Sequence, residues 1–267
     1  MTTVVRLERW TTAKEAAFAR ELARHDPSFG TQVFPVADGV AVLGGPGLFV
    51  NRALGVGIDA EPSAAELDEF EQRGDLVGVP AVIEVTDVTR PNVVQELGRR
   101  GYRPGRQTSV VARPISRADH ATTNDPTILI DGVGDDDLAV WKDVAARGWG
   151  HERADRRRAS DLFADVSHAI EQPGLVLARS AGDGHPLGCA VLHVADGVAS
   201  LGGMTTLEPE RGKGVQSALV RHRLRLAAEM GCDLVTSSAA PGSISERNLF
   251  RHDFIVSHTK VDFTREL

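Results

Sequence analysis

The segment Glu208-Pro-Glu-Arg-Gly-Lys-Gly-Val-Gln-Ser-Ala-Leu219 places a glycine-bearing loop between an apolar strand and an amphipathic helix. Upstream, Val198-Ala-Ser-Leu-Gly-Gly-Met-Thr-Thr-Leu207 carries strand-compatible residues and no proline. Downstream, Val215, Leu219, Leu226 and Met230 recur at helical spacing, and Gly231 suits a C-terminal cap. A loop of this kind aims backbone N–H groups and the positive end of a helix dipole at one point, which makes an anion site. Gly212 and Gly214 allow the backbone to come close to the anion without a Cβ in the way. A phosphate or pyrophosphate is the natural ligand.

The spacing differs from that of a P-loop, and Ser217 stands where a dinucleotide-binding turn has its third glycine. Arg211, Gly212, Lys213, Gly214, Val215 and Gln216 resemble the acyl-CoA-binding motif Arg/Gln-x-x-Gly-x-Gly/Ala of the GNAT N-acetyltransferase superfamily. Gln216 departs from the small last residue of that motif, so its side chain must turn away from the pyrophosphate or touch it.

Composition narrows the class. A formal charge of −7 argues against a nucleic-acid partner. Cys189 and Cys232 make neither a disulfide framework nor a metal cluster and read as buried free thiols. No apolar run approaches the ~18 residues of a membrane span, and Met-Thr-Thr-Val-Val-Arg at the start shows no signal pattern. The expectation is a cytoplasmic protein with no membrane partner and no bound metal, as a monomer or homodimer.

At 267 residues the chain has room for two domains. Polar, breaker-rich Ser116–Pro126 reads as a linker between a domain over 1–115 and another over 127–267. In the second, strands are expected at 127–130, 175–179, 187–193, 234–236 and 254–263, with helices around 136–147, 156–171 and 245–252. Ala53–Pro62 parallels Ser200–Pro209 at an offset of 147, and Leu97–Tyr102 parallels Leu249–Phe254 at an offset of 152. The five-residue difference falls where Ser63-Ala-Ala-Glu66 replaces the interval carrying Arg-Gly-Lys-Gly. Val36–Gly45 also nearly repeats Val194–Gly203 at an offset of 158, a competing register that the hairpin-forming Ala-Asp-Gly explains by convergence. The pattern resembles tandem-GNAT acetyltransferases. That resemblance implies an α/β fold of two GNAT-like domains, each a mixed, mostly antiparallel sheet flanked by helices, the first lacking the phosphate loop.

The resemblance also implies roles. Met204, Thr205 and Thr206 would pair with the pantetheine arm of acetyl-CoA, and backbone N–H groups from Gly212 to Ser217 would hold its pyrophosphate. Arg211 and Lys213 would add charge, with Ser245 and Asn248 as further contacts. Ser243 or Ser245 suits an N-cap, and Asp253 stands where the family has glycine, which Asp tolerates at positive φ better than most residues. Acyl transfer to an amine needs a neutral amine, a stabilised oxyanion and a proton for the departing thiolate. Leu249 occupies the position of the tyrosine that many family members use for the last, and Tyr102 lies in the other half. His151 and Glu152 are candidate bases, with a solvated loop as the alternative, and Trp141 and Trp149 read as core or as a wall of the acceptor pocket. The function implied is N-acetyl transfer from acetyl-CoA to an amine of a small molecule, and the acidic charge favours a cationic acceptor. A non-catalytic acetyl-CoA-binding sensor or scaffold is the alternative.

Overall fold

The computed structural model describes residues 1–121, 125–170 and 174–267. The chain begins with α1 (Thr3–His25), β1 (Gln32–Val36), β2 (Gly39–Leu43), β3 (Arg52–Leu54), α2 (Ala64–Val77), β4 (Ala81–Val85), α3 (Pro91–Arg99) and β5 (Arg103–Pro114). It continues with α4 (Arg117–His120), β6 (Ile128–Gly132), α5 (Asp135–Trp149), α6 (Ala154–Ala169), β7 (Gly174–Ser180), β8 (Pro186–Ala195) and β9 (Val198–Thr206). The last elements are α7 (Val215–Glu229), β10 (Leu234–Ala239), α8 (Ile244–Phe250) and β11 (Ile255–Arg265). The expected end of α6 at Glu171 lies outside the described residues.

Two compact units result, one of residues 1–110, 239–243 and 256–267, the other of residues 111–238 and 244–255. The division differs from a cut at 116–126: the last strand belongs with the first unit, and residues 111–114 of β5 belong with the second. Nor is the linker segment bare chain. Ser116 and Asp119 form a capping box at the start of α4, and Asp119 is buried in an ion pair with Arg113. The linker's residues 122–124 lie outside the described residues.

In the first unit the strands run in the order β1-β2-β3-β4-β11-β5. β1, β2 and β3 are antiparallel, β4 is parallel to β3 through Ala53 and Ile83, and β11 is antiparallel to β4. Leu43, Ala53, Leu67, Phe70, Ile83 and Leu97 form one core. α1, absent from the sequence expectations, buries Leu7, Trp10, Phe18 and Leu22. Its helical stripe is interrupted by buried Glu8, which His258 and Lys260 approach at 2.7 and 3.0 Å. Lys260 also reaches Glu84 at 2.8 Å, so the buried charges are paired.

In the second unit β6, β7, β8 and β9 are successive antiparallel neighbours, and β10 is parallel to β9. Strand alternation splits the apolar residues between two faces. Val176, Ala178 and Ala190 pack with Val215, Ala218 and Leu219 of α7. Leu175, Leu177, Cys189 and Val191 pack with Trp141, Val144 and Ala164 of α5 and α6. This is the expected mixed sheet with helices on both faces. Cys189 and Cys232 are buried and form no disulfide. Among the described residues no helix is long and apolar enough to cross a membrane, and no His, Cys, Asp and Glu cluster could hold a metal ion.

Candidate functional site

The parallel pairing of β9 and β10 covers only Val198–Ser200 against Leu234–Thr236. Beyond it the strands part, leaving Leu201–Thr206 of β9 without β10 pairing. Ser237 marks the root of this fork: its buried hydroxyl donates to the carbonyl of Leu201 at 2.7 Å. On the other edge of β9 the register against β8 shifts between Cys189 and Val191, so Gly203 and Met204 stand opposite Ala190 alone. Gly203 adopts φ +52, and a Cβ there would lie 2.6 Å from Val191 Cγ2, so the bulge needs glycine.

The chain leaves β9 through a turn of 3-10 helix at Glu208–Glu210 and enters α7. Gly212 and Gly214 have φ of +80 and +82, and a Cβ on either would meet nothing within 4 Å. Their glycines therefore serve backbone conformation rather than relief of crowding within the protein. No side chain caps α7, and its first turn of N–H groups, Val215 to Ser217, has no intrahelical acceptor. Fork and helix end open onto one cavity of about 580 Å³.

Met204, Thr205, Thr206, Arg211, Gly212, Gly214, Val215, Gln216, Ser217, Ser245 and Asn248 all line this cavity. Of the anticipated cofactor residues only Lys213 does not; its ammonium pairs with Glu210 at 3.1 Å. Three lining residues escaped the sequence reading: Glu210, Ile244 and Arg251. Glu210 places a carboxylate beside the loop, held also by His185 at 3.6 Å. Gln216 turns sideways along the wall, where Asn248 donates its amide to the Gln216 carbonyl oxygen. Arg251 in turn donates to Asn248, and Ser217 Oγ lies 3.2 Å from His252 Nε2. Burial, followed by the nearby Arg221 and Arg113 charges, lowers the His252 pKa, so its ring is neutral near pH 7.

The α5–α6 corner adjoins the fork. Gly148 sits so close to β9 that a Cβ on it would lie 2.3 Å from Thr205 Oγ1. His151 and Glu152 follow on this corner, and neither lines the cavity. His151 is half-buried, its Nδ1 2.7 Å from the buried Ser160 hydroxyl, and Glu152 is exposed. Trp141 is fully buried and stacks edge-on to Trp149, with Phe163 against both, which is the core reading of the two tryptophans. Leu249 is buried and supplies no proton. Tyr102 belongs to the first unit, where burial and the Glu71 carboxylate raise its pKa.

The first unit fills its own equivalent positions. At the offset of 147, Gly57 and Asp59 correspond to Met204 and Thr206. Their N–H groups donate to the carboxylate of Asp38, at 2.8 and 2.5 Å. The N-terminus of α2 carries a capping box in which Glu66 accepts from Ser63 N–H at 2.8 Å and Ser63 Oγ at 2.7 Å, and from Ala37 N–H at 3.0 Å. The carboxylate of Asp38 thus takes the N–H groups at the positions of Met204 and Thr206, and Ser63 caps α2 where α7 has no side-chain cap. At the offset of 152, Gly101 and Asp253 both have positive φ, +85 and +62, the latter as expected for the aspartate. In the competing register the hairpins turn one residue apart, on Ala37-Asp38 and on Asp196-Gly197.

The second unit thus sets a mixed sheet, forked at one end, beside an uncapped helix and a glycine loop. Residues 139–254 match the family model described as acetyltransferase (GNAT) family, so this segment is similar to the GNAT acetyltransferases. A GCN5-related N-acetyltransferase from Kribbella flavida matches at TM-score 0.67 and 18% identity, over 99% of this chain and 96% of its own. One from Sphaerobacter thermophilus matches at TM-score 0.62 and 17% identity, over 88% and 76%. A tandem GNAT protein from the clavulanic acid biosynthesis pathway matches at 0.61 and 14%, over 86% and 79%. These likenesses concern the fold. No curated protein matches the sequence.

Proposed function

We propose that the protein is an N-acetyltransferase that moves an acetyl group from acetyl-CoA to an amine of a small molecule, in a tandem-GNAT arrangement whose second unit works and whose first has lapsed. The uncapped start of α7 opening onto the same cavity as the fork carries this reading. It fits the donor on two counts: donors in the first turn of α7 suit a pyrophosphate, and the edge of Met204–Thr206 suits an extended amide-bearing arm. The tandem assignment draws support from the tandem GNAT match and from the internal repeat.

When bound, the donor supplies an activated thioester. The amine lone pair attacks its carbonyl carbon, the C–N bond forms, the C–S bond breaks, the amine proton leaves to a base and the thiolate takes a proton. We assign the base to the α5–α6 corner, where His151 keeps Nε2 clear of its Ser160 contact and Glu152 faces solvent. With Leu249 in the tyrosine position, water protonates the thiolate. The net charge of −7 favours a cationic acceptor.

Calorimetry with acetyl-CoA, followed by free-CoA release against panels of amines, tests the reading. Binding accompanied by amine-dependent release supports it. Binding without release across broad acceptor classes would instead favour a sensor or scaffold, a reading that buried Leu249 keeps in view. Absence of binding would sink both.

A further inference from the structure

Arg223, on α7, is wholly buried, and the partners of its guanidinium are all uncharged. Nε donates to the Leu219 carbonyl at 3.0 Å. Nη1 donates to the carbonyls of Val191 at 2.9 Å and Gly202 at 3.1 Å, and Nη2 reaches Met204 Sδ at 3.0 Å. Among the described residues no carboxylate is a partner of it. A buried cation without a counterion is costly, so its retention calls for a use.

Its position indicates one. The guanidinium bridges carbonyls of β8 and β9 at the bulge and braces Met204, which lines the cavity. Among the described residues no peptide is cis, and a trans peptide points its C=O and N–H in opposite directions. With the Gly202 carbonyl turned toward Arg223 and β8, the N–H of Gly203 faces the side where β10 has departed. The Leu201 carbonyl, one residue earlier, already points there, toward Ser237. Charge drawn onto the Gly202 oxygen strengthens the Gly203 N–H as a donor, because hydrogen bonds in series polarise one another.

We propose that Arg223 is a positioning residue for acyl transfer, holding the bulge and polarising the Gly202–Gly203 peptide so that the Gly203 N–H stabilises negative charge developing on the thioester oxygen. This rests on the acetyl-donor reading. The cation acts through the backbone, where a fully buried charge is screened least. It compensates in part for the absence of an acid at Leu249.

Three variants separate charge from packing: Arg223→Met, Arg223→Gln and Arg223→Lys. In the ligand-free protein the Gly203 amide proton resonance should move upfield in the Met and Gln variants and stay near the wild-type position in the Lys variant. With acetyl-CoA labelled at the thioester carbonyl, the bound 13C resonance should lose at least half of its downfield displacement in Met and Gln while the calorimetric Kd stays within about threefold. Free-CoA release per folded molecule, with water as acceptor, should fall about tenfold or more in Met and Gln, and Lys should recover most of it. A merely structural role would lower Tm in all three and leave the carbonyl resonance and the release rate unchanged, which overturns the proposal. If Arg223→Met does not fold, Gln against Lys decides, and equal values overturn it. Acetyl-CoA that fails to bind the wild type would overturn the donor reading and this inference together, whereas normal binding with unmoved resonances overturns only the role of Arg223.

Discussion

Ser237 donates its buried hydroxyl to the carbonyl of Leu201 across 2.7 Å, at the point where β9 and β10 part. The bond satisfies the first β9 carbonyl that has lost its backbone partner and keeps the fork from opening further down the sheet. Ser237→Ala should cost about 1–3 kcal/mol of stability, because it leaves a buried acceptor unsatisfied. Urea unfolding checks the loss, and a change under 0.5 kcal/mol would show that the fork needs no such pin.

Gly214→Asp should weaken acetyl-CoA binding at least 100-fold in calorimetry. A Cβ at this position meets no protein atom within 4 Å, so the fold survives, at a cost of about 1 kcal/mol for a non-glycine residue at φ +82. Retained affinity would remove the loop from the donor site.

Glu66→Lys should leave acetyl-CoA affinity within about twofold while costing about 1 kcal/mol through loss of the α2 capping box. A large drop in affinity would make the first unit a second donor site, contrary to the self-filled groups around Asp38 and Glu66.

Glu210→Gln should tighten acetyl-CoA binding about threefold at low salt and less at high salt. The substitution removes an anion from the cavity wall and releases Lys213 from its 3.1 Å pair. Weaker binding in a titration would mean that the carboxylate acts as a bond acceptor for the donor.

His222 links stability to pH. Burial, reinforced by the Arg225 charge, pushes its pKa down to about 4. Between about 4 and 6.5 the unfolded chain binds this proton and the folded protein does not, so stability rises with pH through that window. The contribution is complete above about 6.5 and is lost as pH falls toward 4. His222→Phe should flatten urea midpoints measured from pH 4 to 7, and an unchanged slope would count against the assignment.

Local pattern carried much of this reading. The loop from Glu208 to Ser217 announced itself because glycines at fixed offsets between a strand and a helix have few other uses, and the structure lines one cavity with most of it. The hidden residues are those whose role needs a distant partner. Glu8 broke the stripe of α1 because its counterions, His258 and Lys260, come from β11. Arg223 carries no local signal, since nothing in its sequence neighbours announces the two carbonyls it bridges. Arg251 and Glu210 line the cavity by the angle of α8 and the turn before α7, which no spacing encodes.

By itself the sequence determined the strand–loop–helix unit, the repeat at offsets 147 and 152, and the family the chain resembles, because each depends on residues near one another along the chain. Only the tertiary structure decided where the last strand belongs, which N–H groups are left open and which are filled by Asp38 and Glu66, and that a buried cation sits behind the fork. Those are contacts between residues far apart in sequence, settled by which buried polar groups find partners once the chain has closed on itself.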